Sequence, residues 1–181
     1  MYWEKPGPEN TERTVELAVR RAKELHIQHL VVASNTGQTA RLCLGRGPEV
    51  IVVTHHVGFT GPGQDEMPAG ERAALAAAGA KLLTATHLMA GLDRAVRMKF
   101  GGLYPAEIIA ASLRLLGQGV KVGVEIACMA LDAGLIPYGR EVVTVAGTGR
   151  GADTALVVLP SHSNTFFDTQ VREVICKPRQ F

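Results

Sequence analysis

The apolar positions of this chain alternate between a helical and an extended rhythm. Val15, Ala18, Val19, Ala22 and Leu25 recur at the spacing of a helix with one buried face. Asn10 or Thr11 is placed to cap that helix, with Glu9 and Glu12 near its positive end. Leu30-Val31-Val32-Ala33 then reads as a short buried strand, and Glu49–Thr54 as another. Between them, residues 39–44 predict a brief helix stopped by Gly45 and Gly47. A helix over residues 69–78 ends at Gly79, Lys81–Thr84 is a weaker strand, and residues 87–100 lean helical until Gly101-Gly102. Pro105 suits the first position of a helix that runs to Gly117. Residues 120–133 are apolar almost all round. Alternation of Val120, Val122 and Val124 would suit a strand, but the length and the Gly134 stop favour a buried helix. Residues 141–146 and Thr154–Leu159 are strands joined only by a loop, hence antiparallel neighbours, and residues 171–176 form a last edge strand before Pro178. Strands alternating with helices predict an α/β fold of one domain, residues 1–181. It has three α/β/α layers, a mostly parallel sheet and a late antiparallel strand.

Composition narrows the function classes. A chain of 181 residues, 46% hydrophobic and 20% charged, can bury a substantial core. With 19 basic and 17 acidic residues the net charge is only +2, which gives no attraction to nucleic acid or to an anionic membrane. No apolar run approaches the roughly 18 residues of a membrane span, and the start MYWEKPGP has no signal-peptide core. Cys43, Cys128 and Cys176 are far apart and in no CxxC spacing. They read as free thiols of a cytoplasmic protein rather than as disulfide or zinc ligands. Tyr2 and Trp3 at the start of the chain read as anchors on the domain body or on a neighbouring subunit, which supports a homo-oligomer.

The chemistry concentrates in a few loops. The strand ending at Ala33 stops in Ser34-Asn35-Thr36-Gly37-Gln38-Thr39 ahead of a helix, an arrangement that aims backbone N–H groups at one point and suits phosphate. Ser34, Thr36 and Thr39 can add hydroxyl donors, and Gly37 permits close approach; the same residues would also serve as a capped turn. Gly147-Thr148-Gly149-Arg150-Gly151 resembles a GxGxG fingerprint but precedes a strand, so it reads as a flexible or ligand-covering loop with Arg150 as a charge partner. Asp153 beside it can pair with Arg150, cap a turn or meet a ligand hydroxyl. His55-His56 closes a strand before Gly58-Phe59. Adjacent residues of an extended chain face opposite ways, so at most one of the two imidazoles points into a given pocket, where it can bond or stack with a planar ligand, as can Phe59; His87 is the further candidate on that side of the ligand. No metal site is expected from these histidines. Glu125, amid Val124, Ile126 and Met129, is either held by a structural partner such as a helix terminus or an Arg, the favoured reading, or is a carboxyl of raised pKa available for catalysis, while Arg94 and Arg97 read as solvated or ion-paired.

Several of these segments together resemble a known family. They are Asn10-Thr11-Glu12, Val32 through Ala40, Val53 through Phe59, Phe100-Gly101-Gly102, Val124 through Ala127, Asp132 through Pro137 and Gly151 through Leu156. The chain resembles the C-terminal domain of pyruvate kinase and, over nearly its whole length, the small stand-alone pyruvate kinase alpha/beta domain proteins of archaea and bacteria. To the kinase itself the similarity covers mainly residues 10–58 and 139–160. The resemblance implies that the 34–39 loop binds a phosphate and that the 147–154 hairpin helps to cover it. Kinases often place a basic residue where Gln38 stands, so a neutral amide here weakens the hold on a doubly charged phosphate. The kinase's catalytic barrel has no counterpart, and pyruvate kinase activity is not implied. The expectation is a binding protein for a phosphorylated small molecule. Flavin mononucleotide (FMN) is a candidate because it joins a terminal phosphate to a planar ring and because the stand-alone family has been linked to it. A flavin-dependent or phosphoester-processing enzyme using the same pocket, and a non-catalytic regulatory or assembly module, are the alternatives.

Overall fold

The computed structural model describes residues 1–181 and centres on one seven-stranded sheet. Its strands are β1 (Tyr2–Trp3), β2 (His29–Ala33), β3 (Glu49–Thr54), β4 (Lys81–Thr84), β5 (Val142–Ala146), β6 (Thr154–Leu159) and β7 (Gln170–Pro178). They lie in the order β1-β7-β6-β5-β2-β3-β4. β5, β2, β3 and β4 are parallel, while β6 runs antiparallel to both β5 and β7. The helices are α1 (Thr11–Glu24), α2 (Gln38–Cys43), α3 (Ala69–Ala77), α4 (Leu92–Phe100), α5 (Pro105–Arg114) and α6 (Gln118–Asp132).

Continuous apolar strands are what a sheet covered on both faces requires. Along β2, Leu30 and Val32 join Val15, Ala18, Val50 and Val157 in one core. Val31 turns the other way and joins Ile51, Val120, Val124 and Leu156 in a second. The all-round apolar character of α6 follows from how closely it is seated. A Cβ on Gly123 would lie 2.8 Å from Thr144 Oγ1, and one on Gly119 would lie 2.1 Å from Thr154 Oγ1. These two glycines, one turn apart, let the helix backbone rest directly on β5 and β6.

The three-layer arrangement and the β5–β6 pairing agree with the expectation from the sequence, and the differences are local. Asn10 does not cap α1 with its side chain. Its amide donates instead to the Lys5 and Gly7 carbonyls, and Thr11 Oγ1 accepts from Ala152 N at 2.9 Å. Only Leu92–Phe100 of the 87–100 segment is helical, because the residues before it form a loop anchored elsewhere. β7 is longer than residues 171–176 and is not the edge: Tyr2 and Trp3 pair with Lys177 and Pro178. Trp3 packs on the core, whereas Tyr2 stays exposed. All three cysteines are buried free thiols, and no helix is long and apolar enough to cross a membrane.

Candidate functional site

β5, β2, β3 and β4 point the same way, so the segments leaving Ala146, Ala33, Thr54 and Thr84 emerge along one edge of the sheet. That edge collects the 34–39, 55–59 and 147–153 loops and His87. Carboxyl ends of strands in an open α/β sheet are the general place for ligands.

The 34–39 loop leaves β2 with Ser34 N bonded to Val53 O at 3.1 Å. Ser34 is buried, and its Oγ accepts from Ala40 N at 3.3 Å, so this hydroxyl secures the turn. Gly37 has φ 91°, a left-handed conformation that favours glycine. The main-chain N–H groups of Thr36, Gly37, Gln38 and Thr39 donate to no group of the protein. Thr39 is buried, and α2 begins one residue earlier than expected, at Gln38. A carboxylate already lies against this loop: a Cβ on Gly37 would sit 2.5 Å from Glu71 Oε1. Glu71 is held by both nitrogen arms of Arg41, with Nε at 2.6 Å. These hydrogen bonds keep its carboxyl below the usual range.

The strand ends at Thr54, and a turn closed by Phe59 N on His56 O follows at once, which changes how the two histidines are aimed. His55 and His56 do not diverge; both imidazoles join Phe59 and His87 in one cluster. The ring centroid of His55 lies 3.8 Å from that of Phe59 and 4.9 Å from that of His87. The His56 centroid is 5.7 Å from Phe59 and 5.9 Å from His87. Asn35 connects this cluster to the first loop. Its Oδ1 accepts from His55 N at 3.0 Å, and its Nδ2 lies 3.1 Å from His55 Nε2. His55 Nδ1 lies 2.5 Å from Glu66 Oε2. The amide donor on one side and the carboxylate acceptor on the other assign the proton to Nδ1. Gly58 shapes the turn that carries Phe59, with φ 93° and its N bonded to Gln64 O. His56 Nδ1 is buried without a hydrogen-bond partner.

His87 is fixed from below. Lys121 and Glu125 form an ion pair on α6 that is almost wholly buried, and Glu125 Oε1 also accepts from Met89 N at 2.9 Å, tying down the His87 loop. The partner of Glu125 is therefore a lysine one turn earlier rather than an Arg or a helix terminus. Burial pushes the His87 imidazole down to about 4, partly opposed by Glu125 and reinforced by His55, Lys121 and His56. The folded state thus resists a proton that an unfolded chain accepts near the ordinary value of 6.5. Stability from this group is complete above that value and is lost as pH falls toward about 4. His87→Gln should flatten the dependence of unfolding free energy on pH across this interval, measured by urea titration at several pH values. An unchanged slope would show that His87 protonates normally in the folded protein.

The 147–153 loop is a structured wall. Asp153 is buried and caps the turn: Oδ2 accepts from Thr148 N at 3.1 Å and Oδ1 from Thr154 Oγ1 at 2.7 Å. It does not pair with Arg150, which is exposed and has no carboxylate partner. Trp3 Nε1 donates to Asp153 O at 2.7 Å. Gly149 and Gly151 both have φ 75°, and a Cβ on Gly151 would collide with Thr11 Oγ1 at 2.4 Å. Gly147 is equally confined, its added Cβ lying 2.7 Å from Gly151 O. Thr148 Oγ1 is buried and unpartnered.

The geometry thus joins Asn35, His55, His56, Phe59 and His87 by direct contact, and sets the 34–39 and 147–153 loops on adjacent strands. Two hollows lie beside this region. One of about 470 Å³ is lined by Asp65, Met67, Pro68, Arg72 and Ala76. The other, about 130 Å³, lies between Leu88, Met89, Ile109 and Phe166. Neither is lined by the two loops, and no three His, Cys, Asp or Glu side chains are grouped to hold a metal ion. Glu66, Glu71, Arg41 and Lys121 were not evident as site residues from sequence. The Lys121–Glu125 spacing of four on a helix was the one available signal. Arg97 pairs with Glu107 at 2.5 Å, as one of the readings for it expected. Arg94 has no carboxylate partner, and its guanidinium lies 5.9 Å from the Phe59 centroid.

Comparison with solved structures finds similarity to pyruvate kinase from Cryptosporidium parvum. One structure is 18% identical with TM-score 0.39, covering 76% of this chain and 20% of the kinase. The same enzyme in complex with ADP is 18% identical with TM-score 0.40, covering 81% and 22%. The chain therefore spans about a fifth of the length of the pyruvate kinases it matches. The family model described as pyruvate kinase, alpha/beta domain, matches residues 12–158. With its parallel sheet closed by the β5–β6 hairpin, the chain belongs to the pyruvate kinase alpha/beta domain family.

Proposed function

We propose that this protein binds a phosphorylated small molecule at the carboxyl edge of its sheet. The observation that carries this reading is the set of unpartnered N–H groups at Thr36, Gly37, Gln38 and Thr39, together with the buried and unpartnered hydroxyl of Thr148 in the loop that follows the neighbouring strand. Buried or converging donors without acceptors are costly, and a phosphate supplies several acceptor oxygens at once. The Glu71 carboxylate against Gly37 occupies part of that space, so the incoming phosphate displaces it and takes over its partner Arg41. Arg41 thereby provides the positive charge that Gln38 does not. The rest of the ligand extends toward His55, His56, Phe59 and His87, where FMN would find a planar surface for its ring.

The absorption spectrum of the purified protein, followed by titration with FMN and with inorganic phosphate, tests this reading. Thr39→Ala combined with Thr36→Ala should weaken the binding of either probe by about tenfold, the equivalent of about 1.4 kcal/mol of lost hydrogen bonding. Glu71→Gln should strengthen it. Affinities unchanged by all three substitutions would remove the loop from the site. A colourless protein that binds phosphate but not FMN would retain the phosphate reading and discard the flavin.

A further inference from the structure

Helix α4 is held by its polar side and leaves its apolar side in solvent. Nine residues long, it has no buried side chain. A helix this short is marginal in water and draws its stability from packing an apolar face. Charged side chains fasten α4 to the rest of the chain instead. Asp93 accepts from Ala106 N at 3.0 Å, and Arg97 meets Glu107 at 2.5 Å, both at the start of α5. Leu92 and Met98 are left 83% and 77% exposed, and Phe100 at the end of the helix 72%. Leu103, three residues on, is 69% exposed. At about 100° per residue, Leu92, Ala95 and Met98 share about a third of the helix circumference, on the side opposite Asp93 and Arg97.

We propose that the Leu92–Ala95–Met98 stripe is a contact between two copies of this chain, paired antiparallel across a twofold axis at Ala95. That axis sets Leu92 against the partner's Met98 and Met98 against the partner's Leu92, and the small alanine between them lets the two helices approach closely. The area suits a dimer. Leu92, Met98, Phe100 and Leu103 together expose roughly 500 Å² of apolar surface. A standard interface buries about 800 Å² per partner, and about 65% of a homodimer interface is apolar. The stripe is also clear of charge: the Lys99 ammonium lies over the Phe100 ring at 5.3 Å and the Arg94 guanidinium over Phe59 at 5.9 Å. Trp3 packs on this chain's own core, so α4 rather than the start of the chain joins the subunits. Through Arg94 and Phe59 the contact borders the ligand site, but it does not depend on what binds there.

Sedimentation equilibrium of the full chain over a range of micromolar concentrations tests the contact. A reversible dimer is expected. Met98→Asp should raise its dissociation constant by about tenfold or more, and so should Leu92→Asp. Both side chains are exposed, so both variants are expected to fold. Leu115→Asp alters an equally exposed leucine at the end of α5 and should leave the dimer unchanged. Ala95→Cys should become disulfide-linked between copies under mild oxidation, since the three native cysteines are buried. Added salt should tighten the dimer, because Arg94 and Lys99 of the two copies repel one another, whereas an acidic partner or an anionic membrane would be released by salt. A chain that stays monomeric at every concentration overturns the proposal. So does a dimer that survives both aspartates on α4 or that Leu115→Asp disrupts equally. Ala95→Cys chains that cross-link no faster than Leu115→Cys chains overturn the antiparallel pairing. A monomer that sediments with anionic vesicles assigns the stripe to a lipid surface and overturns the second copy.

Discussion

Replacing Glu125 by Leu is expected to destabilise the protein by about 3–5 kcal/mol, because it strands the Lys121 ammonium in the interior without a counter-ion. Lys121 is 6% exposed and Glu125 2%, so neither can turn to water without moving α6. The substitution also removes the acceptor of Met89 N, freeing the loop that carries His87. Urea unfolding should show a lower midpoint with little change in slope, and the thermal midpoint should fall by about 10 °C. The double substitution Lys121→Met with Glu125→Leu should recover most of the loss, since a well-packed apolar pair is often as stable as a buried ion pair. The two results together separate the cost of an orphaned charge from the value of the pair. A single variant that loses less than about 1 kcal/mol would mean that water reaches Lys121 and that the pair behaves like a surface one.

Gly119→Ala is expected to cost about 3 kcal/mol, although alanine is the better helix former by about 1 kcal/mol. The added methyl would fall 2.1 Å from Thr154 Oγ1, 2.4 Å from Thr154 Cβ and 3.1 Å from Asp153 Oδ1. Relief requires α6 to lift from β6 or Asp153 to leave the turn it caps. The second route has its own reporter. The chain has one tryptophan, and Trp3 Nε1 donates to the Asp153 carbonyl, so the fluorescence of the folded variant should change along with its stability. Gly70→Ala is the matching control. It lies in α3 with nothing near the position of its Cβ, and it should stabilise by about 0.5–1 kcal/mol. If both substitutions had the same sign, helix propensity rather than packing would govern Gly119.

These contrasts show where the sequence was legible. Strands β2, β3, β5 and β6 could be read because a sheet buried on both faces demands uninterrupted apolar runs, and the glycines that end α3 and α6 stand where chain reversal needs them. The 34–39 loop was also legible, since its composition already limited it to a turn rich in donors. What a one-dimensional pattern cannot carry is partnership between distant segments. Glu71 lies on α3, yet it rests on Gly37. Lys121 stands alone as a cation in an apolar helix, and only the fold shows that Glu125, one turn on, meets it in the interior. The expectation that His55 and His56 diverge assumed that the strand continued beyond Thr54; the chain turns there, and both rings fall on one side. Asn10 was available as a cap, but the Lys5 and Gly7 carbonyls claimed its side chain first.

The fastening of the 147–153 loop to the start of the chain has a consequence for the order of folding. β1 pairs with Lys177 and Pro178, Trp3 holds Asp153, and Thr11 holds Ala152. β2 and β5 are also neighbours in space while separated in sequence by five helices and two strands. Contacts of such long sequence separation form slowly, because a long loop must close before any of them contributes. During synthesis, the segment through β3 emerges with its 34–39 loop complete but with an open sheet edge where β5 belongs. Ligand competence is therefore expected to appear only after the last strand has docked. A ligand that bridges the two loops would then act as a late fastener, slowing unfolding far more than it speeds folding.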